Sequence, residues 1–146
     1  MKKIIVYTDG GSRGNPGPAA IGVVIVNESG HVLKEYSEYS GDNLTNNEAE
    51  YQAVIFALKK IKALLGKEKA FNSEIQINSD SELLIQQLNG HYKILDEKIQ
   101  TLFLTAWNLK IDFKKLKFNL IPREKNQAAD KLVNQSLDSQ NLTRLF

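Results

Sequence analysis

The chain has 146 residues, the size of one domain, and its 42% hydrophobic and 25% charged residues are the balance of a globular protein with a real core. It has no cysteine, which excludes disulfides and thiolate metal sites, and no apolar run long enough to span a bilayer. A formal net charge of +2 is too small to announce a nucleic-acid partner by itself.

The chain opens Met1-Lys2-Lys3 and passes straight into Ile4-Ile5-Val6-Tyr7, an uninterrupted apolar run that predicts a buried strand. No signal-like apolar region precedes it, so a cytoplasmic protein without a membrane partner is expected. The strand is expected to stop on Asp9 and enter a glycine-rich turn, Gly10 to Gly17. Ala20 to Val26 predicts a second strand, Gly30 a turn, and Val32 to Tyr39 a third strand, the three forming an antiparallel meander. A long helix is expected from Asn46 to Leu65. Ile75 and Ile77 mark a fourth strand ending at Asp80, followed by a short helix over Ser81 to Leu88 and a longer one from Asp96 to Lys110. Leu116, Phe118 and Leu120 alternate in a fifth strand stopped by Pro122, and a last helix is expected from Lys125 to Asp138. The rest is read as a polar tail, residues 139–146, whose Leu145-Phe146 end docks or frays. This order predicts one α/β domain, residues 1–138, in which later strands, each reached through a helix, lie parallel to the first.

Four carboxylates stand in costly places. Asp9 sits where the first strand leaves the core, and an acid there needs solvent, a partner or a cation. On the long helix, Val54, Ala57, Leu58, Ile61, Leu64 and Leu65 share one face at 100° per residue, with Glu50 near its middle. Glu48 points the other way, into solvent. Glu50 either complements the helix N-terminus or serves a site. Asp80 repeats the Asp9 arrangement, with helix N-capping as the alternative unless a neighbour supplies the cap. Asp130 lies at the edge of the stripe Ala129, Val133 and Leu137, where a lone Asp is ordinarily a surface residue.

Together, four acids from two strand ends and two helix starts could converge at one sheet edge. An all-oxygen cluster fits Mg²⁺ or Mn²⁺, and several carboxylates can hold two such ions about 3.5–4 Å apart, a geometry suited to phosphodiester hydrolysis. Without metals, mutual repulsion raises some of their pKa values. His31, in a hairpin turn, and His91 lie outside these motifs, and Trp107 reads as core packing beside Leu102, Phe103 and Ala106. The lysine clusters at Lys59-Lys60-Lys62, Lys67-Lys69 and Lys114-Lys115-Lys117 read as solvated faces.

With these residues in view, nearly the whole chain resembles type 1 ribonuclease H. The motifs are Tyr7-Thr8-Asp9-Gly10-Gly11-Ser12 with Gly14-Asn15-Pro16-Gly17, Thr45-Asn46-Asn47-Glu48-Ala49-Glu50, Ser79-Asp80-Ser81 and Ala128-Ala129-Asp130. The resemblance implies a five-stranded mixed sheet flanked by helices, acting as a monomer. It implies hydrolysis of the RNA strand of RNA–DNA hybrids with Mg²⁺ or Mn²⁺, leaving 5′-phosphate and 3′-hydroxyl ends. Activity on double-stranded RNA, or a binding-only module, are the alternatives. The four catalytic carboxylates carry over to Asp9, Glu50, Asp80 and Asp130, and the family motif selects Glu50 over Glu48 as the helical face does. In the implied mechanism Asp9 bridges two ions, Glu50 and Asp80 complete one site, and Asp130 completes the other. Gly10, Gly11, Ser12, Asn15, Asn46, Asn47 and Gln86 are the implied contacts to substrate, the glycines by letting a backbone come close and Asn46 and Asn47 by reading 2′-hydroxyls. Helix capping is the other role open to Asn46 and Asn47.

Two departures point to a compact bacterial and archaeal subgroup. Gly90 to Leu95 leads directly into the next helix, with no basic protrusion, so weaker and strongly salt-dependent substrate binding is expected. Lys93 and other lysines could supply part of the missing grip. The stretch Ile121-Pro122-Arg123-Glu124-Lys125-Asn126 is short and lacks the loop histidine of many members, leaving Arg123, Glu124 or Lys125 to share its task. No hybrid-binding module is expected before the first strand.

Overall fold

The computed structural model describes residues 2–145. Five strands, β1 (Lys3–Ser12), β2 (Gly17–Asn27), β3 (Val32–Leu44), β4 (Glu74–Ser79) and β5 (Lys115–Leu120), form one mixed sheet in the order β3-β2-β1-β4-β5. β1, β2 and β3 pair antiparallel, while β4 lies parallel to β1 and β5 parallel to β4. This is the expected fold.

Helices cover both faces. On one, α1 (Asn46–Leu65), α3 (Glu82–Leu88) and α4 (Glu97–Lys110) enclose the main core with Ile4, Val6, Val23, Ile25, Ile75 and Ile77. On the other, α5 (Gln127–Leu145) packs Leu132, Val133 and Leu137 against Ala20, Val24 and Val26. Alternate residues of β2 therefore enter opposite cores, which is why its sequence is apolar without interruption.

α1 begins and ends where expected because both ends carry strong local signals. Thr45 accepts from the Glu48 N–H while Glu48 Oε1 accepts from the Thr45 N–H, a capping box, and Gly66 closes the helix in a positive-φ conformation. Glu48 thus folds back on the helix start instead of projecting into solvent.

Several boundaries differ. β1 does not stop on Asp9: pairing with β2 continues to Ser12 opposite Ala19. What ends near Asp9 is the pairing with β4, whose last partners are Tyr7 and Asn78. β3 likewise runs on to Leu44. The five-residue helix α2 (Lys67–Phe71) is too short to carry a periodic signal. A 3-10 turn over Arg123–Lys125 precedes α5, which continues through Ser139 to Leu145, so the segment read as a tail is helical. The docking or fraying of the Leu145 and Phe146 side chains lies outside the described residues. Trp107 is not core. α4 buries Ile99 and Ala106, and the next residue, a further 100° round the helix, emerges 46% exposed. Its ring stacks 6.0 Å from Phe103 under Lys110. His31 is exposed, as its hairpin turn implies, and so is His91. Among the described residues no helix is long and apolar enough to cross a membrane.

Candidate active site

Two glycines beside Asp9 assemble the site. A Cβ on Gly10 would fall 2.3 Å from the Ala49 carbonyl oxygen, so only glycine lets the start of α1 sit against β1 there. Gly22, the cross-strand partner of Asp9, would place a Cβ 2.1 Å from the Ala129 carbonyl oxygen of α5. Each helix is thus seated one residue from its own acid: α1 beside Glu50 and α5 beside Asp130. The absent Gly10 side chain makes room for a helix of the protein itself.

Glu50 is 7% exposed, and its carboxylate is held at both oxygens. The Gly10 N–H donates to Oε1 at 2.9 Å, and the Ser79 hydroxyl donates to Oε2 at 3.3 Å. Asp80 follows β4 directly. Ser81 supplies the cap of α3 by accepting from the Leu84 N–H, so Asp80 is free of that task. Asp130 is exposed in the first turn of α5, its N–H donating to the Asn126 carbonyl at 3.1 Å. Asp9, Glu50 and Asp80 each offer an oxygen atom within 4.8 Å of the others, and Asp130 stands outside this triad on the cleft wall.

The electrostatics follow from that crowding. Burial, reinforced by the charges of Asp80 and Asp130 against a hydrogen bond with Glu50, pushes Asp9 up to about 7. Burial and then the charge of Asp9 raise Glu50 well above the usual carboxylate range. Burial raises Asp80 too, opposed by the Arg123 guanidinium and a hydrogen bond with Asn126. Buried carboxylates that resist joint ionisation are what a bound cation relieves, and all-oxygen donors suit a hard one. The residues present therefore fit a divalent metal.

The four acids line one cleft of about 660 Å³ with Gly10, Gly11, Ser12, Asn15, Asn46 and Asn47. The loop and helix start are stitched together: the Ser12 N–H donates to Asn46 Oδ1, and the Asn46 N–H donates to Asn15 Oδ1, both at 2.9 Å. Thr45 caps α1, so neither Asn46 nor Asn47 is its cap. Asn47 Oδ1 is buried without a partner among the described residues. Gln86 lies outside the cleft, where its amide oxygen meets His91 Nδ1 at 2.7 Å. Arg13, Arg123 and Asn134 also line the cleft. Arg13 and Asn134 have no motif that singles them out, since only chain folding brings them to the acids.

A family model described as reverse transcriptase-like matches residues 7–136. A ribonuclease H1 isolated from compost, LC11-RNase H1, is 45% identical with a TM-score of 0.89, over 96% of this chain and 99% of that one. The same compost protein has been solved in complex with an RNA/DNA hybrid, at a TM-score of 0.88 and 43% identity over 94% of this chain and 98% of that one. The ribonuclease H1 of Halobacterium salinarum is 36% identical with a TM-score of 0.85, over 94% of this chain and 98% of that one. The bifunctional protein Rv2228c of Mycobacterium tuberculosis is 32% identical over 94% of this chain, which spans only 36% of that relative's length.

Proposed function

This chain belongs to the type 1 ribonuclease H family, and from that premise we propose that it is an endoribonuclease that hydrolyses the RNA strand of RNA–DNA hybrids. The observation that carries the reading is the meeting of Asp9, Glu50 and Asp80 oxygens within 4.8 Å on the floor of an open cleft.

In this reading Asp9, Glu50 and Asp80 would hold one Mg²⁺ or Mn²⁺, and Asp130 would help to hold a second. Bound divalent ions supply a water of lowered pKa and charge neutralisation at the phosphate, and the products carry 5′-phosphate and 3′-hydroxyl ends. The chain's own residues set the geometry. Gly10 and Ser79 fix the Glu50 carboxylate, and Arg123 keeps Asp80 closer to its charged form. Asn47 lines the cleft, and its side-chain amide can hydrogen-bond a ribose 2′-hydroxyl, a group that deoxyribose lacks. Asn15 and Asn46 hold the walls that shape this groove. The cleft contacts proposed for substrate are Ser12, Asn15, Asn46 and Asn47 with the backbone of Gly11.

The test is cleavage of end-labelled RNA–DNA hybrid, double-stranded RNA and double-stranded DNA with Mg²⁺ or Mn²⁺. Cleavage of the hybrid's RNA strand is expected, and an intact hybrid overturns the reading. Cleavage of double-stranded RNA as well would mark a broader specificity.

A further inference from the structure

We propose that Arg13 binds a backbone phosphate of the nucleic acid in the cleft and that Asp138 aims it; this rests on the reading of the cleft as a hybrid-binding site. The chain is rich in lysine and has only three arginines, yet among the described residues Arg13 and Arg123 both line the cleft and no lysine does. A planar guanidinium can grip a phosphate with two parallel N–H bonds, which an ammonium cannot. Arg123 lies beside Asp80, where its charge acts on that carboxylate. Arg13 is on a different element, the hairpin joining β1 to β2.

That hairpin is closed tightly around Arg13. Its N–H donates to the Pro18 carbonyl at 2.9 Å, and a Cβ on Gly17 would fall 2.0 Å from the Arg13 carbonyl oxygen. The side chain reaches α5 with one corner only. Nη2 donates to Asp138 Oδ1 at 2.7 Å and approaches Asn134 Oδ1 at 3.4 Å, acceptors one helical turn apart. Nε and Nη1 have no partner among the described residues, so one edge of the fork is anchored and another is open to a ligand. The pair is exposed, at 45% for Arg13 and 66% for Asp138, and an ion pair in such surroundings adds little to folding stability. Its consequence is orientation. A long side chain that would otherwise sample many rotamers is held over the groove on the α5 side, near Asp130. A strand crossing the carboxylates thereby meets a pre-aimed cation beside them, in a chain that lacks the family's basic protrusion.

The experiment measures kcat and KM of the full chain on hybrid across a series of salt concentrations. Arg13→Ala is expected to raise KM about tenfold with kcat changed less than about twofold, as befits removal of one charge-assisted hydrogen bond to the substrate. The slope of log affinity against log salt should become less negative by about 0.7–0.9, the signature of one fewer neutralised phosphate. Arg13→Lys should keep the salt slope while recovering only part of the affinity, because it restores charge without the fork. Asp138→Asn should raise KM less than Arg13→Ala and add nothing in the Arg13→Ala background. Unchanged KM and salt slope in Arg13→Ala, or a fall in kcat alone, overturns the phosphate-binding role. A tighter KM in Asp138→Asn overturns the aiming role. A wild-type chain that leaves the hybrid intact defeats the parent reading instead, so the two failures are distinguishable.

Discussion

The Asn126 side-chain amide donates a 2.9 Å hydrogen bond to the Thr8 carbonyl, across 118 positions of sequence. Thr8 immediately precedes Asp9, and the Asn126 carbonyl accepts the N–H of Asp130. One residue, 1% exposed, therefore ties the strand that carries the first acid to the helix that carries the last, while its side chain lowers Asp80 against the pull of burial. Asn126→Ala leaves the Thr8 carbonyl without its donor and should cost about 1–3 kcal/mol, read as a lower urea midpoint. It should also reduce kcat about tenfold or more, through displaced carboxylates, and raise the Mg²⁺ concentration needed for half-maximal rate. A stability loss with unchanged Mg²⁺ dependence and kcat would reduce Asn126 to a packing role.

Glu50→Gln and Glu48→Gln should differ sharply although the residues are two apart. Glu50 is buried among the other acids, whereas Glu48 accepts from the Thr45 N–H, a task that glutamine also performs. Steady-state cleavage should fall more than about 100-fold in Glu50→Gln, beyond the loss of an outer partner, and stay within about twofold in Glu48→Gln. Equal effects would remove Glu50 from the metal site.

Asp80→Asn should abolish cleavage with Mg²⁺ by a comparable factor of about 100 or more, while the far-ultraviolet circular dichroism stays native. In metal-free buffer at neutral pH it should melt no lower than the parent chain, because it removes a charge that Asp9 and Glu50 feel as repulsion. Full activity would take Asp80 out of the chemistry.

Gly10→Ala tests how the site is assembled. The added methyl meets the backbone of Ala49 and Glu50, which cannot rotate away, so α1 must shift. A destabilisation of about 1–3 kcal/mol is expected from overpacking. Activity should fall about 100-fold from misplacing Glu50 by as little as 1 Å. Wild-type melting and rate together would show that the helix start yields at no cost.

The metal-free protein should lose stability as pH rises. Asp9 has a folded-state pKa of about 7 against 3.8 as its ordinary value, and Glu50 is raised in the same direction. A carboxyl raised on folding favours the protonated native state, so its contribution is fully present below about pH 4 and lost as pH climbs through about 7. Thermal melting in a chelator should therefore fall between pH 5 and pH 8 by on the order of 5 °C. Added Mg²⁺ should restore most of it at pH 8, because binding favours the native state alone. Asp9→Asn should flatten the profile. A melting temperature that rises over this range in chelator would contradict the clustered carboxylates.

Much of this was legible along the chain. Apolar runs and alternation located the five strands, and the 3.6-residue period placed Glu50 on the buried face of a helix whose span matches α1. Each is a local signal, carried by residues within a few positions of one another. Where local signals are weak, the boundaries moved. β1 runs through Gly10 and Gly11, residues that read as a turn, because β2 supplies their hydrogen-bond partners. Gln86, which the resemblance implied as a substrate contact, is not among the residues lining the cleft, and Trp107 emerges into solvent.

By itself the sequence determined the order of the elements and the acids that burial makes costly, because period, capping and charge act between near neighbours. Only the tertiary structure decided how Asp9, Glu50 and Asp80 come within reach of one cation, why Gly10 and Gly22 must lack side chains, and that Arg13 faces the same cleft as Asp130. Those relationships join residues from separate strands and helices, and their distances are set by how closely α1 and α5 can approach one sheet.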